Sequence, residues 1–250
     1  MENWIETIIE PKKLYLAWQA PDHLKNRFRW AVGVLSTGAA GSLSLRYFRP
    51  GQEFAALNQD KSYDDLLALG FSGYPAFGLK HEVHEVGVAE AFLRRLPPRS
   101  RPDFESYMRQ FRLPASARLT TASLLGYTEA KLPSDGFSIV DPLDASSTLY
   151  DLMLEVAGYR YYAVEAGPLE IGQPVQVAPE PNNPHDPGAV RFSINDRTIG
   201  YVNRLQAPRF QRWLRTASVH AVVERVNGRP ERPRAFVFVT IRPGSRMAAA

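Results

Sequence analysis

The stretch EPNNPHDPGAV, residues 180–190, lies between two apolar segments and is crowded with polar side chains. It holds three prolines, two asparagines, a histidine and an aspartate. Prolines restrict the backbone and so lower the entropy that is lost when a loop is held in one conformation. A loop that only joins two strands needs a turn and no more. We therefore interpret residues 180–190 as a loop that holds polar groups in fixed positions.

Short alternating segments on both sides of this loop predict a β-rich C-terminal half. Aromatic and β-branched residues alternate there with polar ones, which is the pattern of half-buried strands. The predicted strands are 159–164, 174–178, 189–194, 198–202, 218–226 and 234–241, and one helix is predicted over 207–215. Several short strands with one helix, within about 90 residues, predict a small barrel of OB-like character.

The N-terminal half predicts a small sheet followed by helices. Strand patterns occur at 13–18, 29–35 and 43–48, and helix patterns at 62–69, 88–96 and 100–111. Ser62 is a predicted N-cap, and Ser100 with Asp103 has the spacing of a capping box. A stretch rich in proline and aspartate, residues 131–144, marks a boundary. The sequence predicts an α+β fold of two domains, over residues 1–145 and 150–243. The second is a small OB-like β-barrel with one or two helices.

Positive charge is concentrated near the C-terminus. The net charge is +4, and residues 1–150 hold 17 basic and 17 acidic side chains. From Arg191 to Arg246, twelve arginines stand against three acidic residues. The planar guanidinium group makes forked hydrogen bonds to phosphate oxygens. From charge alone, a phosphate-binding surface and an ordinary solvated basic face are both open.

Composition excludes several classes of protein. A chain of 250 residues with 44% apolar content is typical of a globular protein. The absence of cysteine excludes disulfides, thiolate metal sites and cysteine nucleophiles. No apolar run reaches about 18 residues, and the first residues lack the basic start of a secretory signal. We expect a cytoplasmic protein with no membrane span.

No residue pattern predicts catalysis. HEVHEV, residues 81–86, places two histidines three apart, but no third metal ligand is near, and we interpret it as an exposed helix start. Carboxylates in the segments SDG and DPLD lack a partner base. We expect a protein that is not an enzyme, with no cofactor and no metal site.

Four segments together resemble a HIRAN domain. They are VAGYRYYAV (156–164), PEPNNPHDPGAVRF (179–192), IGYVNRLQA (199–207) and RAFVF (234–238), in the order and spacing of that family. The Asn-Pro-x-Asp loop followed by Ile-Gly-Tyr is a fairly specific signal. The resemblance covers about residues 150–243. It implies a modified OB fold that binds single-stranded DNA, with a preference for a free 3′-hydroxyl end.

The resemblance implies roles for residues of the first two segments. Arg160 and Tyr161 match an Arg-Tyr pair on the first strand, where the ring stacks on a base and the arginine meets phosphate. Asn183, His185 and Asp186 match the loop that meets the terminal nucleotide. Asp186 would accept a hydrogen bond from the 3′-hydroxyl, since that group is a donor and an internal phosphodiester is not. The same three loop residue types also cap ordinary turns, and that interpretation stays open.

The other two segments supply three further residues. Tyr201 and Arg204 match a pair that holds the nucleic-acid backbone, and Phe236 matches an aromatic that packs on a base. The sequence departs from the family at His185, where tyrosine is frequent, and at Gly188, where asparagine is usual. These departures bear on stacking and on the preference for ends.

The N-terminal half resembles segments that are fused to bacterial HIRAN domains. Those segments are similar to the small N-terminal subdomain of HipA-type toxin kinases, and no kinase catalytic signature is present. This implies a binding or scaffold module. The leading hypothesis is a bacterial protein that binds single-stranded DNA or DNA ends. The alternatives are a component of a toxin–antitoxin or phage-defence system that pairs with a HipA-like kinase, and an unrecognised nuclease.

Overall fold

The computed structural model describes residues 2–24, 28–38, 41–132, 135–143 and 147–244. Contacts divide the chain into two compact units. The N-terminal unit comprises Glu10–Tyr107 and Arg118–Pro142. The barrel unit combines Met1–Ile9 and Met108–Ala117 with Leu143–Ala250.

The domains predicted over residues 1–145 and 150–243 stay a prediction. The limit at residue 145 lies outside the described residues, as do residues 133, 134 and 144 of the stretch that marks the predicted boundary. The barrel unit also takes two segments from the N-terminal half of the sequence.

An antiparallel sheet forms the centre of the N-terminal unit. The strands of this unit are β1 (Lys13–Gln19), β2 (Arg29–Thr37), β3 (Leu43–Tyr47), β4 (Gly73–Tyr74), β5 (Phe77–Gly78), β6 (Val83–His84) and β7 (Phe137–Val140). The sheet order is β6-β3-β2-β1-β7, and β4 pairs with β5 in a separate hairpin. The strands predicted at 13–18, 29–35 and 43–48 are confirmed.

Short helices join these strands. They are α1 (Gln52–Leu57), α2 (Tyr63–Ala68), α3 (Val88–Leu93), α4 (Phe104–Arg109), which crosses from one unit to the other, and α5 (Thr121–Thr128). The Ser62 hydroxyl caps α2 as predicted, because it accepts a hydrogen bond from the Asp64 amide at 3.0 Å.

Two local predictions for this half are wrong. The capping box at Ser100 does not form, since α4 begins at Phe104. Pro102 disfavours helical geometry at Arg101, so the helix starts after the proline. Residues 81–86 do not start a helix either, because Val83 and His84 form β6 and pair with β3.

A curled six-stranded sheet forms the barrel unit. Its elements are β8 (Tyr150–Glu155), α6 (Tyr159–Ala166), β9 (Pro174–Pro179), β10 (Val190–Ile194), β11 (Arg197–Tyr201), α7 (Ala207–Thr216), β12 (Ala217–Arg229) and β13 (Arg232–Pro243). The strand order is β11-β10-β9-β12-β13-β8. All pairs are antiparallel, and the arrangement agrees with the predicted OB-like barrel.

The two edges of this sheet meet at one bridge. Ala157, which follows β8, exchanges backbone hydrogen bonds with Tyr201 at the end of β11, at 2.8 and 2.9 Å. Gly200 makes the approach possible. Its φ is +140°, and a Cβ there would lie 2.5 Å from the Ala157 carbonyl oxygen. A glycine is therefore required where the sheet closes.

The strand predicted at 159–164 is a helix, so this prediction is wrong. Gly158, at φ +80°, precedes α6, and only Tyr159 of the helix is buried. The edge of the sheet is occupied by β8, immediately upstream, whose first five residues are all buried. The alternating pattern at 159–164 therefore reflects strand-favouring residue types on an exposed helix and not a buried strand face.

Buried carboxylates fasten the N-terminal segment to the barrel unit. Asp151 accepts hydrogen bonds from the backbone amides of Glu6 and Thr7, at 3.2 and 3.4 Å. Glu224 accepts from the Asn3 amide at 2.6 Å and pairs with Arg112 at 2.5 Å. The barrel unit thus depends on side chains from three separate parts of the sequence.

Within the part of the chain that the structure describes, no helix has the length and apolar character needed to cross a membrane. The cytoplasmic location stays a prediction.

Candidate nucleic-acid interface

The loop 180–190 is shaped by its own side chains. Oδ1 of Asn183 accepts hydrogen bonds from the amides of His185 and Asp186, at 2.9 and 3.0 Å. Oδ1 of Asp186 accepts from the Gly188 amide at 2.8 Å. Among the described residues, none donates to the second carboxylate oxygen of Asp186. The loop therefore has the turn geometry of Asx residues and still offers one half-buried acceptor.

Glu180 connects this loop to the barrel. Its Oε2 accepts from the Asn183 side-chain amide at 2.6 Å, and its Oε1 lies 3.6 Å from the Arg191 guanidinium. The Tyr201 hydroxyl also interacts with Glu180. A single carboxylate thus links the loop, β10 and the end of β11. The sequence interpretation assigned no role to Glu180 or Arg191, although both lie within the quoted segment 179–192.

Tyr201 stands at the centre of the same network. The Tyr162 hydroxyl donates to the Tyr201 hydroxyl at 3.4 Å, and the rings meet edge to face. Burial raises the pKa of Tyr201, and its contacts with Tyr162 and Glu180 raise it further. Tyr201 is therefore a neutral donor at physiological pH. Tyr162 was not predicted from the sequence, because it is one of three tyrosines within the four residues 159–162.

Helix α6 presents the predicted Arg-Tyr pair. The side chain of Tyr161 is 61% exposed. The Arg160 guanidinium donates to the Tyr161 hydroxyl at 2.5 Å and lies 4.7 Å from the centre of its ring. The pair is therefore on the surface, on the helix whose Tyr162 reaches Tyr201. The resemblance implied that this pair lies on the first strand of the barrel, but the pair lies on helix α6.

Phe236 lies on β13 and differs in its environment from the other predicted residues. It is only 6% exposed. The guanidinium carbons of Arg225 and Arg234 lie 4.3 and 5.0 Å from its ring centre, which is cation–π range. Arg234 also pairs with both carboxylate oxygens of Glu155 at 2.8 Å. The guanidinium groups of Arg225 and Arg234 therefore lie between the Phe236 ring and the surface.

Arg225 is held in place from another segment. Its Nη1 donates to the Gln110 carbonyl at 2.7 Å. Burial lowers the pKa of Arg225, and the positive charges of Arg234 and Arg112 lower it further. A guanidinium group stays charged at physiological pH in any case. The cluster therefore places positive charge above Phe236.

The middle of α7 contacts the loop. Nε2 of Gln211 donates to the Gly188 carbonyl at 2.9 Å. Arg204, half-buried, lies in the connection between β11 and α7. The structure thus brings Asn183, Asp186 and Tyr201 into one network, with His185 exposed on the loop.

In the described ranges, no group of three or more histidine, aspartate or glutamate side chains could hold a metal ion. The rings of His81 and His84 lie 6.2 Å apart, and His84 contacts the Gly78 carbonyl at 3.1 Å.

Comparison with known families identifies the C-terminal part of the chain. Residues 149–242 match the family model described as the HIRAN domain. Over these residues the chain is similar to HIRAN domains. The match includes the loop 180–190, the closure at Tyr201 and helix α7. The network described above therefore lies within the part of the chain that resembles this family.

A solved structure is also similar to this chain. It is titled crystal structure of HIRAN domain of human HLTF, and it is 22% identical over 38% of this chain and 77% of its own, with a TM-score of 0.32. No curated protein matches the chain. The resemblance of the N-terminal half to HipA-type proteins and the toxin–antitoxin alternative find no support in these comparisons.

Proposed function

We propose that the HIRAN domain of this protein binds single-stranded DNA and that the loop 180–190 receives the 3′ end. One observation carries the proposal. Asp186 uses one carboxylate oxygen to hold the loop and keeps the other without a donor among the described residues. A neighbouring network of hydrogen bonds fixes the loop to the barrel, so that acceptor has a defined position.

The chemistry of an acceptor suits a terminal hydroxyl. A 3′-hydroxyl group donates a hydrogen bond, and a charged carboxylate accepts it strongly. A 3′-phosphate has no such match, because two negative charges repel each other. A pocket built on Asp186 therefore distinguishes an unmodified end from a phosphorylated end.

The exposed tyrosine of α6 suits a base. Base stacking on an aromatic ring contributes about 1–3 kcal/mol for each base and does not depend on sequence. Tyr161 has an exposed ring, and Arg160 beside it adds positive charge. Tyr201 and Arg204 are proposed to hold the backbone near the loop, and the arginines above Phe236 to meet phosphate.

The protein is proposed to act by binding, without enzymatic activity. Asp186 has no partner base and no metal cluster beside it among the described residues, so the loop lacks the groups of a hydrolytic site. The N-terminal unit is proposed to be a binding or scaffold module.

The test is direct binding of the full chain to three labelled oligonucleotides. They are a single strand with a free 3′-hydroxyl, the same strand with a 3′-phosphate, and a blunt duplex. We expect the affinity order hydroxyl-ended strand, phosphate-ended strand, blunt duplex, with metal ions having no effect. No binding at low salt, or equal binding of all three, would contradict the proposal.

A further inference from the structure

Helix α7 carries a row of arginines on its outer surface. Arg209, Arg212 and Arg215 recur every three residues, and the last two are exposed. Side chains three apart on a helix are neighbours, about 5–6 Å between Cβ atoms. No acidic residue occurs between Asp196 and Glu224 in the sequence. The outer surface of α7 is therefore positive without local neutralisation from its own segment.

The opposite side of α7 fixes the helix to the barrel. Ala207, Phe210 and Trp213 are buried there. The Trp213 indole donates to the Ser147 carbonyl at 2.9 Å, and its ring packs on Tyr150 with centres 5.0 Å apart. The arginine row thus projects from a fixed support, which lowers the entropy lost when it binds a ligand.

The helix is joined to the loop that contains Asp186. Gln211 donates to the Gly188 carbonyl, and the Gly188 amide donates to Asp186. Arg215 follows Gln211 by four residues and so lies one turn along the same side of the helix. The contact with the loop therefore falls between Arg209 and Arg212, and Arg212 and Arg215 continue from it toward the C-terminal end of the helix.

We propose that α7 binds the backbone phosphates of a DNA strand whose end lies in the loop 180–190. This rests on the proposed function and extends it from the terminal nucleotide to those that precede it. Guanidinium groups make forked hydrogen bonds to phosphate and read no base, so the contact is independent of sequence. Affinity then rises with strand length, and part of the salt dependence belongs to α7.

The nature of the side chains favours a nucleic acid over an acidic protein. Every charged residue of α7 is arginine, whose planar group binds phosphate through two hydrogen bonds, and the helix contacts the loop that is proposed to receive the DNA end. Polyglutamate of similar length serves as the acidic polypeptide in the test.

The experiment compares two double variants of the full chain. Arg212→Gln with Arg215→Gln removes the exposed charges of α7. Arg229→Gln with Arg232→Gln removes two exposed charges from the strand ends that flank the turn between β12 and β13 in the same unit, and so matches the change in net charge. Both are titrated with hydroxyl-ended strands of about 4 and about 16 nucleotides over a range of salt.

For the wild type we expect the longer strand to bind more tightly than the shorter one. The α7 variant loses this gain, and its salt slope falls by about 1.4, since each phosphate contact contributes about 0.7 on single strands. Its affinity for the short strand stays that of the wild type. The turn variant behaves as the wild type with both strands.

Three results would overturn the proposal. If the α7 variant keeps the full increase in affinity from the short strand to the long one, α7 makes no contact with DNA. Binding of the short strand then still tests the loop. An equal loss in the turn variant shows an effect of net charge alone. Binding of polyglutamate by the wild type that is lost in the α7 variant, with no gain from longer DNA, assigns the surface to an acidic protein. A wild type that binds neither strand contradicts the proposed function itself.

Discussion

The hydroxyl groups of Tyr162 and Tyr201 lie 3.4 Å apart, and they join helix α6 to the last residue of strand β11. Tyr201 also closes the sheet through its backbone bridge to Ala157 and contacts Glu180 beside the loop. The position of the loop is therefore tied to the closure of the barrel. Changes at the closure are expected to affect ligand binding as well as stability.

Gly200→Ala tests the closure. A Cβ at this position would clash with the Ala157 carbonyl at 2.5 Å, and the residue has a positive φ. We expect a loss of stability of about 1–3 kcal/mol and weaker DNA binding. Gly172→Ala is the control, because its φ is also positive but no atom lies within 4 Å of the added Cβ. Equal effects of the two variants in urea unfolding would show that the clash is relieved.

Tyr161→Ala tests the stacking surface of α6. We expect all single strands to bind more weakly by about 1–3 kcal/mol, whatever their end, because a stacking partner for a base is lost. Val164→Ala, on the same helix and 93% exposed, is the control and leaves binding unchanged. An affinity of Tyr161→Ala equal to that of the wild type would remove Tyr161 from the interface.

Arg112→Met tests the attachment of the N-terminal segments to the barrel unit. It leaves the buried Glu224 carboxylate with the Asn3 amide as its remaining close donor, and we expect a loss of about 3 kcal/mol in the free energy of unfolding. The double variant with Glu224→Met recovers part of this loss. Arg101→Met removes an exposed pair with Asp103 and costs less than about 1 kcal/mol. A loss no larger than that control would contradict the role of the buried pair.

Tyr47 gives the N-terminal unit a dependence on high pH. Burial raises the pKa of Tyr47 to about 12, while its hydroxyl donates to the Phe77 carbonyl and accepts from the Tyr74 amide. In the unfolded chain a tyrosine ionises near pH 10. The Tyr47 hydroxyl therefore stays protonated to a higher pH in the folded state than in the unfolded state. Its contribution to the free energy of unfolding is full below about pH 10 and is lost as the pH rises through about 12.

The measurement is urea unfolding between about pH 9 and about pH 12, with Tyr47→Phe as the control. The variant lacks the acceptor for the Tyr74 amide and is less stable at pH 9, but its stability changes less on the alkaline side. Parallel curves for the two proteins would show that Tyr47 does not cause the alkaline loss.

The alternating strands of the barrel could be predicted from the sequence, because β9 to β13 each carry a strong local pattern between clear turns. The helix over residues 159–164 could not be predicted in this way, and a strand was predicted there instead. Tyr159 to Val164 favour a strand by residue type, but β8 occupies the edge of the sheet, and tertiary pairing decides between them. Strand β7 was assigned to a boundary stretch because proline and aspartate surround it, yet it pairs with β1.

The sequence predicted the part of the candidate site that is formed within the loop 180–190. It did not predict the contacts between residues that are far apart in the sequence. Asn183 and Asp186 shape a loop within ten residues, so a motif shows them. Tyr162 and Gln211 contact partners 39 and 23 residues away, and Glu180 interacts with the distant Tyr201; no spacing along the chain indicates those contacts. Phe236 was predicted to stack on a base. The sequence does not show that Arg225 lies over its ring, because that contact depends on the pairing of β12 with β13 next to a bulge.

The most direct test of the central claim is the end preference of Asp186→Asn. Asparagine keeps an oxygen that can accept from the Gly188 amide, so the loop is preserved, but it lacks the charge. The wild type and the variant are titrated in competition with hydroxyl-ended and phosphate-ended strands of one sequence, beside a thermal melt. We predict that the wild type prefers the hydroxyl-ended strand, that Asp186→Asn loses this preference, and that the melting temperature stays close to that of the wild type. The same end ratio in both proteins, with a lowered melting temperature in the variant, would show that the loop is only a turn and would contradict the account.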